Sequence, residues 1–445
     1  MALKFFNKLL SRPRKDEKRT KAPRIGVCTC AKDERPYLRE WVSHYRRLGF
    51  DFIFVYDNGS RDSSVALLEK MGGNDLKIIR WPTPTGKSPQ LSAFEDCARL
   101  AASTCDFLAF FDADEFLVEQ SKGLLRNLIG EIDDSIDGIL INQRIVGSNG
   151  ARAYGPLPVV QRFSAVTTEG YPENKWVKSI VRPKSVHKFG NPHIPTITGA
   201  SEFVNGAGKR IRKSQLNLDG KLSFIDHSGL ALDHYILKSY EEYLWKRARG
   251  GGAAATQELR SKRYPDDQFF INRELAIEKS ELKSRRPESR PEEEFRREVI
   301  EELKTVPIPW SNGPVILSRR QREWALDCMA SYDSLIHFGI SQAIIDAAYA
   351  GLSSIVVVSS SSKAIENLKH NATLDAAIQV GRLRALHADI GPVDDYGHPL
   401  DLTQQATFKN YAQCPWNIAS GVRSSTGSPL IINTGRFRVA CACLA

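Results

Sequence analysis

Phe107-Leu108-Ala109-Phe110-Phe111-Asp112-Ala113-Asp114-Glu115 is an apolar run that stops abruptly at three carboxylates. Five consecutive apolar residues bounded by charge read as a buried strand. Upstream, Phe52-Ile53-Phe54-Val55-Tyr56 ends in the same manner, in the turn cluster Asp57-Asn58-Gly59-Ser60. Ile25-Gly26-Val27-Cys28-Thr29-Cys30 is a third such run, and Leu38, Trp41, Val42, Tyr45 and Leu48 follow it at helical spacing over 34–48. Helices over 63–71 and 88–102 and a strand over 76–81 complete the alternation. Strands alternating with helices predict an α/β fold with a doubly wound, mostly parallel sheet, whose ligand binds at the carboxyl ends of the strands.

Those strand ends carry the chemistry. In extended backbone Asp112 and Asp114 point to the same side, so two carboxylates converge where like charges repel. A hard divalent cation shared with a diphosphate resolves that repulsion, because Mg2+ or Mn2+ prefers oxygen ligands and keeps positions open for phosphate. A bare D-x-D is weak; after one apolar strand, and beside another ending in Asp57-Asn58-Gly59-Ser60, it is much stronger.

The chain has 445 residues, 42% hydrophobic and 26% charged, enough for two domains with substantial cores. Its formal charge is +10. Residues 1–24 hold nine basic and two acidic residues, so +7 of that charge sits in an N-terminal tail and the remainder is nearly balanced. A broad nucleic-acid face is therefore not expected. The tail, with Phe5, Phe6, Leu9 and Leu10 interrupted by Lys4 and Lys8, reads either as a disordered, solvated terminus or as a peripheral contact with an anionic membrane, and is too short and charged for a span or signal core. Eight cysteines form neither a disulfide framework nor a zinc spacing, which points to a cytoplasmic protein, with the tail at the inner membrane face.

From Arg24 to about Gly252 the sequence resembles nucleotide-sugar glycosyltransferases of the A-type fold, close to families 2 and 92. The resemblance rests on Ala31-Lys32-Asp33-Glu34-Arg35-Pro36-Tyr37-Leu38-Arg39-Glu40-Trp41, Val55-Tyr56-Asp57-Asn58-Gly59-Ser60-Arg61-Asp62 and Phe110-Phe111-Asp112-Ala113-Asp114-Glu115-Phe116. Lys178-Ser179-Ile180-Val181-Arg182-Pro183 and His234-Tyr235-Ile236-Leu237-Lys238-Ser239-Tyr240-Glu241-Glu242-Tyr243 extend it, in the same order, over about half the chain. It implies a metal-dependent, inverting transfer of sugar from a nucleotide sugar, a UDP-sugar first, to a glycan or polysaccharide acceptor. Asp57 would contact uridine or ribose with Glu34, Asn58 and Asp62 nearby. Asp112 and Asp114 would hold Mn2+ or Mg2+, and His234 would complete the metal shell, with His193 as runner-up and a capping or packing role as the other reading of His234. Lys178, Arg182, Lys238, Lys246 and Arg249 would compensate phosphate charge. An inverting enzyme needs a carboxylate base, for which Glu115, Glu169, Glu173 and Glu202 all stand open. Asn142-Gln143-Arg144 and Gly147-Ser148-Asn149-Gly150 sit where acceptor contacts are expected, and otherwise read as an ordinary strand and turn.

Residues 278–314 read as a charged, solvated helical linker and 315–445 as a second, smaller Rossmann-like α/β domain. The latter resembles class I methyltransferases in His387-Ala388-Asp389-Ile390-Gly391-Pro392 and Gly435-Arg436-Phe437-Arg438-Val439. It departs from them in keeping one glycine in Phe338-Gly339-Ile340-Ser341-Gln342-Ala343, and in ending its second strand at Ser359-Ser360-Ser361-Ser362 without a carboxylate. A degenerate domain kept for interaction or stability is expected. The competing functions are an S-adenosylmethionine-dependent methyltransferase acting through this domain, and a non-catalytic scaffold that binds nucleotide sugar.

Overall fold

A computed structural model describes residues 22–83, 86–199, 201–217, 219–250, 264, 266–279, 281–284, 291–310, 317–393, 399–400, 407, 409–417 and 429–434. The basic tail up to residue 21, the run 435–439 and Cys441 and Cys443 lie outside the described residues. Among the described residues no helix is long and apolar enough to cross a membrane.

The first unit is a nine-stranded, mostly parallel sheet. Its strands and helices in chain order are β1 (Ile25–Ala31), α1 (Arg35–Arg47), β2 (Phe52–Asp57), α2 (Ser64–Met71), β3 (Leu76–Arg80), α3 (Pro89–Ala101), β4 (Phe107–Phe110), β5 (Glu115–Glu119), β6 (Gly138–Ile145), β7 (Val177–Val181), β8 (Phe203–Asn205), β9 (Leu230–His234) and α4 (Tyr240–Arg249). The spatial order is β3-β2-β1-β4-β7-β6-β9-β5, with β8 against β6. Crossovers to β2 and β4 leave β1 on opposite sides, so the end of β1 is the switch point at which open α/β sheets take ligands.

Both faces of the sheet are covered, which is why its strands read as continuous apolar runs. Val27, Ile53, Val55, Phe107, Ala109 and Phe111 face Leu38, Trp41 and Tyr45 of α1. Their neighbours Cys28, Phe54, Tyr56, Leu108 and Phe110 face Phe94 and Cys97 of α3. Gly26 is closely approached by the connection from α3 to β4 and by β4 itself: a Cβ there would lie 2.9 Å from Cys105 Sγ and 3.0 Å from Leu108 Cδ1. Gly26→Val is expected to cost about 1–3 kcal/mol by overpacking. A urea titration should show a lower midpoint at unchanged slope; a midpoint at or above wild type would refute the contact.

The antiparallel strand β7, wedged between β4 and β6, was not foreseen from alternation alone. Its register sets Ala109 against Ile180 and Ile141 against Lys178. Because β7 runs opposite to β4, its beginning lies beside the end of β4, and Lys178 arrives level with Phe111 and Asp112.

The second unit is a four-stranded parallel sheet, with α5 (Glu292–Thr305), α6 (Arg319–Met329), β10 (Ser334–Phe338), α7 (Gln342–Tyr349), β11 (Ser354–Ser359), α8 (Ala372–Gln379), β12 (Leu383–His387) and β13 (Leu430–Asn433). The strand order is β12-β11-β10-β13. The expected solvated linker is corrected by α5: Ile300 and Leu303 are buried in this unit's core, while Glu302 pairs with Arg35 at 2.9 Å and also with Arg39 of α1. Acidic residues fill its first turn, as the helix dipole favours, but its inner face is apolar.

Candidate active site

Helix α1 fixes the Asp112–Glu115 turn from below. Trp41 Nε1 donates to Asp112 O at 3.0 Å, and Tyr45, one turn on, donates its hydroxyl to Glu115 O at 2.9 Å. Within the turn Asp112 N donates to Glu115 Oε2 at 2.8 Å. The three carboxylates therefore differ in exposure: the side chain of Asp112 is 31% exposed, Asp114 6% and Glu115 0%.

Three lysines face the carboxylates: Asp112 and Glu115 share one, and Asp114 has two. Lys178 Nζ lies 3.0 Å from Asp112 Oδ1 and 3.4 Å from Glu115 Oε2, and Gln90 donates to the same Asp112 oxygen at 2.5 Å. Lys246 Nζ lies 2.7 Å from Asp114 Oδ2, with Lys238 3.8 Å from that atom. Burial works to raise Asp114, but Lys246 and Lys238 outweigh it and hold the carboxyl well below the usual range. Burial dominates at Glu115 and, although Lys178 opposes it, pushes the carboxyl up to about 8. Burial depresses Lys238 below its ordinary value despite Asp114. Lys238 also sits at φ 58°, a region a side chain seldom adopts, with its ammonium 4.3 Å from the Tyr37 ring centroid.

His234, the last residue of β9, pairs across to Glu115 in the antiparallel ladder. Burial pushes its imidazole down to about 3, so the ring is neutral. Gln143 donates Nε2 to Glu115 Oε1 at 2.5 Å and turns its Oε1 to His234 Nδ1 at 3.3 Å. This assigns the ring proton to Nδ1 and leaves the Nε2 lone pair facing Asp114 Oδ1 at 3.7 Å. An ionised carboxylate oxygen and an imidazole lone pair facing one another lack only a cation between them. Their donor types fit Mn2+ or Mg2+, with phosphate oxygens supplying further ligands. Among the described residues no group of three or more His, Cys, Asp or Glu converges as a ready metal site. Of the expected set Asp112, Asp114 and His234, Asp114 Oδ1 and His234 Nε2 face one another, while Asp112 turns its Oδ1 to Lys178 and Gln90.

The β1 and β2 loops form the other wall. Asp57, level with Ala31, accepts from Gly59 N at 3.2 Å and Ser60 N at 3.3 Å. Glu34 pairs through Oε1 with Arg249, the last residue of α4, while its Oε2 is buried without a hydrogen-bond partner. Asn58 ties its loop to the end of β3, donating to Trp81 O at 2.8 Å.

Several expected residues stand elsewhere. Asp62 accepts from Ser64 N at 3.0 Å and Arg35 N at 2.9 Å, bracing α1 against α2 instead of meeting a nucleotide. His193 lies 2.9 Å through Nδ1 from Val177 O and stacks on Trp176. Arg182, at the far end of β7, donates to Ile136 O at 3.0 Å. Glu202 sits beside the start of β6, about 20 Å along that strand from Gln143 and the carboxylates. Glu115 is sealed, so it positions Asp112 and Gln143 and cannot reach a substrate as base. Asn142 turns to Asn174 O, and Ser148 to Glu274, so neither enters the cluster. Glu169 accepts from His227 N at 3.3 Å. Glu173 opens into a cleft of about 550 Å3 lined also by Thr168, Tyr171, Lys279 and Glu281. Tyr171 packs with Ile145 and Ile236. Gln90 was missed; its signal is its place at the start of α3, directly after the capping Ser88 and Pro89.

Residues 24–228 match the sequence profile of glycosyltransferase family 92. A glycosyltransferase family 92 protein of rice, Oryza sativa subsp. japonica, is 30% identical over 176 residues, 38% of this chain and 28% of that protein. The chain thus spans less than a third of that relative's length. A mannosyltransferase of Pyrobaculum calidifontis solved with GDP-Man and Mn2+ aligns over 32% of this chain and 43% of its own, at 19% identity and a TM-score of 0.24. Glucosyl-3-phosphoglycerate synthase of Mycobacterium tuberculosis, solved with Mn2+, UDP and phosphoglyceric acid, aligns over 37% and 57%, at 18% identity and a TM-score of 0.24.

Proposed function

We propose that this chain is a glycosyltransferase that moves a sugar from a nucleoside-diphosphate sugar to a glycan acceptor, with inversion, at the ends of β1, β2, β4 and β9. The match of residues 24–228 to family 92 supports glycosyl transfer. The observation that carries the donor class is Asp114 Oδ1 facing the His234 Nε2 lone pair inside a shell of lysines. Asp114 and His234 would hold Mn2+ or Mg2+, which when bound draws the negative charge that grows on the leaving diphosphate. Lys246 and Lys238 keep Asp114 ionised, and Gln143 keeps the His234 proton on Nδ1. Asp57 and the unpartnered Glu34 Oε2 suit the hydroxyls of a ribose, with uridine as the first nucleoside to try. We assign the acceptor to the cleft beside Tyr171, with Glu173 on its wall as the base to test first, although it also accepts from Trp176 Nε1 at 3.2 Å.

A thermal-shift screen of nucleotide sugars, with and without Mn2+, tests this reading. A donor at 100 times its dissociation constant adds about 2.7 kcal/mol, a shift of several degrees. A shift confined to one donor and requiring Mn2+ is expected, followed by turnover on a glycan panel. If no nucleotide sugar moves the transition in Mn2+, the reading is wrong.

A further inference from the structure

Helix α4 is held from two sides by charges of opposite provenance. On its inner side Lys246 meets Asp114 and Arg249 meets Glu34, both within the candidate site. On its outer side Glu241 meets Arg382 of the second unit, which sits between α8 and β12. Arg382 Nε donates to Glu241 Oε2 at 2.8 Å and Nη2 to Oε1 at 2.5 Å, and the two side chains are 2% and 0% exposed. Arg382 is itself held by Leu352 O at 3.0 Å and Ala348 O at 3.3 Å, so it projects from a fixed frame. Glu241 also accepts from Tyr154 N at 3.0 Å. Four residues along α4 from Glu241, Trp245 stacks against Tyr349 of α7, ring centroids 6.2 Å apart. The two units touch closely here: a Cβ on Gly351 would lie 2.4 Å from Pro156 Cδ.

A bidentate guanidinium–carboxylate pair fixes orientation as well as distance. Glu241 and Lys246 share one rigid helix of ten residues, so where Arg382 holds Glu241 decides where Lys246 stands against Asp114. We propose that Arg382 is a positioning residue for the candidate site, and that the second unit serves glycosyl transfer by bracing α4 from behind. This rests on the reading under Proposed function. It gives the second unit a role that asks for no ligand at its own strand ends, where the end of β11 offers Ser359, Ser360 and Ser361.

The test compares full-length Arg382→Met, Arg382→Lys and Trp245→Leu with Arg39→Met, which loosens the contact between α1 and α5 without touching α4. Amide hydrogen exchange over residues 240–249 is read first, without nucleotide. Affinity for UDP in Mn2+ and turnover of the donor found by the screen are read second, well below each variant's melting temperature. Faster exchange over 240–249 in Arg382→Met and Trp245→Leu is expected, with turnover down on the order of tenfold to a hundredfold. Arg382→Lys should recover part of that loss, and Arg39→Met none of the effect. Should Arg382→Met not fold, Arg382→Lys decides for Arg382, since it keeps the charge and loses the two-pronged contact, and Trp245→Leu decides for the brace as a whole. Unchanged exchange over 240–249, or turnover reduced equally by Arg39→Met, overturns the brace. A wild type that neither binds UDP in Mn2+ nor turns over any donor overturns the glycosyl-transfer reading, and with it the role assigned to the brace, whereas the exchange data still show whether Arg382 holds α4.

Discussion

Asp114→Asn should abolish Mn2+-dependent nucleotide binding and lower turnover on the order of a thousandfold. The amide has nearly the shape of the carboxylate, so what is lost is charge. Asp114 Oδ1 would no longer present an anion toward the His234 lone pair, and Oδ2 would no longer neutralise Lys246 at 2.7 Å or Lys238 at 3.8 Å. Removing a single preorganised electrostatic contact from an active site costs about a hundredfold to a thousandfold, and here the substitution also weakens the cation's hold. A second cost falls on stability: two buried ammonium groups lose their anion, and breaking a buried pair on one side costs about 3–5 kcal/mol. Calorimetry with nucleotide and Mn2+, turnover and a urea titration separate the two effects. Turnover within tenfold of wild type in a folded Asp114→Asn protein would remove Asp114 from the chemistry.

Lys178→Met should act first on stability, and its effect should depend on pH. The methionine fills the same channel but leaves Asp112 and Glu115 facing each other without the ammonium that lies 3.0 and 3.4 Å away. Glu115 already stands at about 8 in the folded chain against 4.5 for the free side chain, burial being the main cause. Losing Lys178 raises it further. A carboxyl raised on folding contributes stability that is complete below its unfolded value and is lost as pH rises through its folded value. The deficit of Lys178→Met in metal-free buffer should therefore stay level from pH 5 to about 8 and grow by about 3–5 kcal/mol as pH rises beyond it. Urea midpoints measured across that range check it. A deficit independent of pH would mean that Lys178 does not act through Glu115.

The sheet was legible because its signals are local: apolar runs of five or six residues, each closed by a turn or by carboxylates. Asp112 and Asp114 were legible for the same reason, as carboxylates at a strand end, whereas His234 was named only through the family resemblance. What stayed hidden depends on register. Lys178 could be named, but its meeting with Asp112 follows from the antiparallel insertion of β7, which no local pattern announces. The sealing of Glu115 was equally hidden, because a residue that begins an extended strand differs from its exposed neighbour Asp112 only through what packs above it. Asp62 read as part of the Asp57 cluster, yet it serves the first turn of α2, as aspartate does at helix starts generally. The charge of residues 292–305 masked Ile300 and Leu303, which an eye for i, i+3 spacing would have found.

The insertion of β7 between β4 and β6 also has a consequence in time. Asp112 and Asp114 leave the ribosome well before Lys178, and Lys246 follows 132 residues after Asp114. Contacts of such sequence separation form late, because loop closure must precede them. A nascent chain that ends before β7 holds the carboxylates of the turn without the lysines that neutralise them. Until α4 emerges and docks, that end of the half-made sheet is an acidic edge, repelling phosphate instead of receiving it.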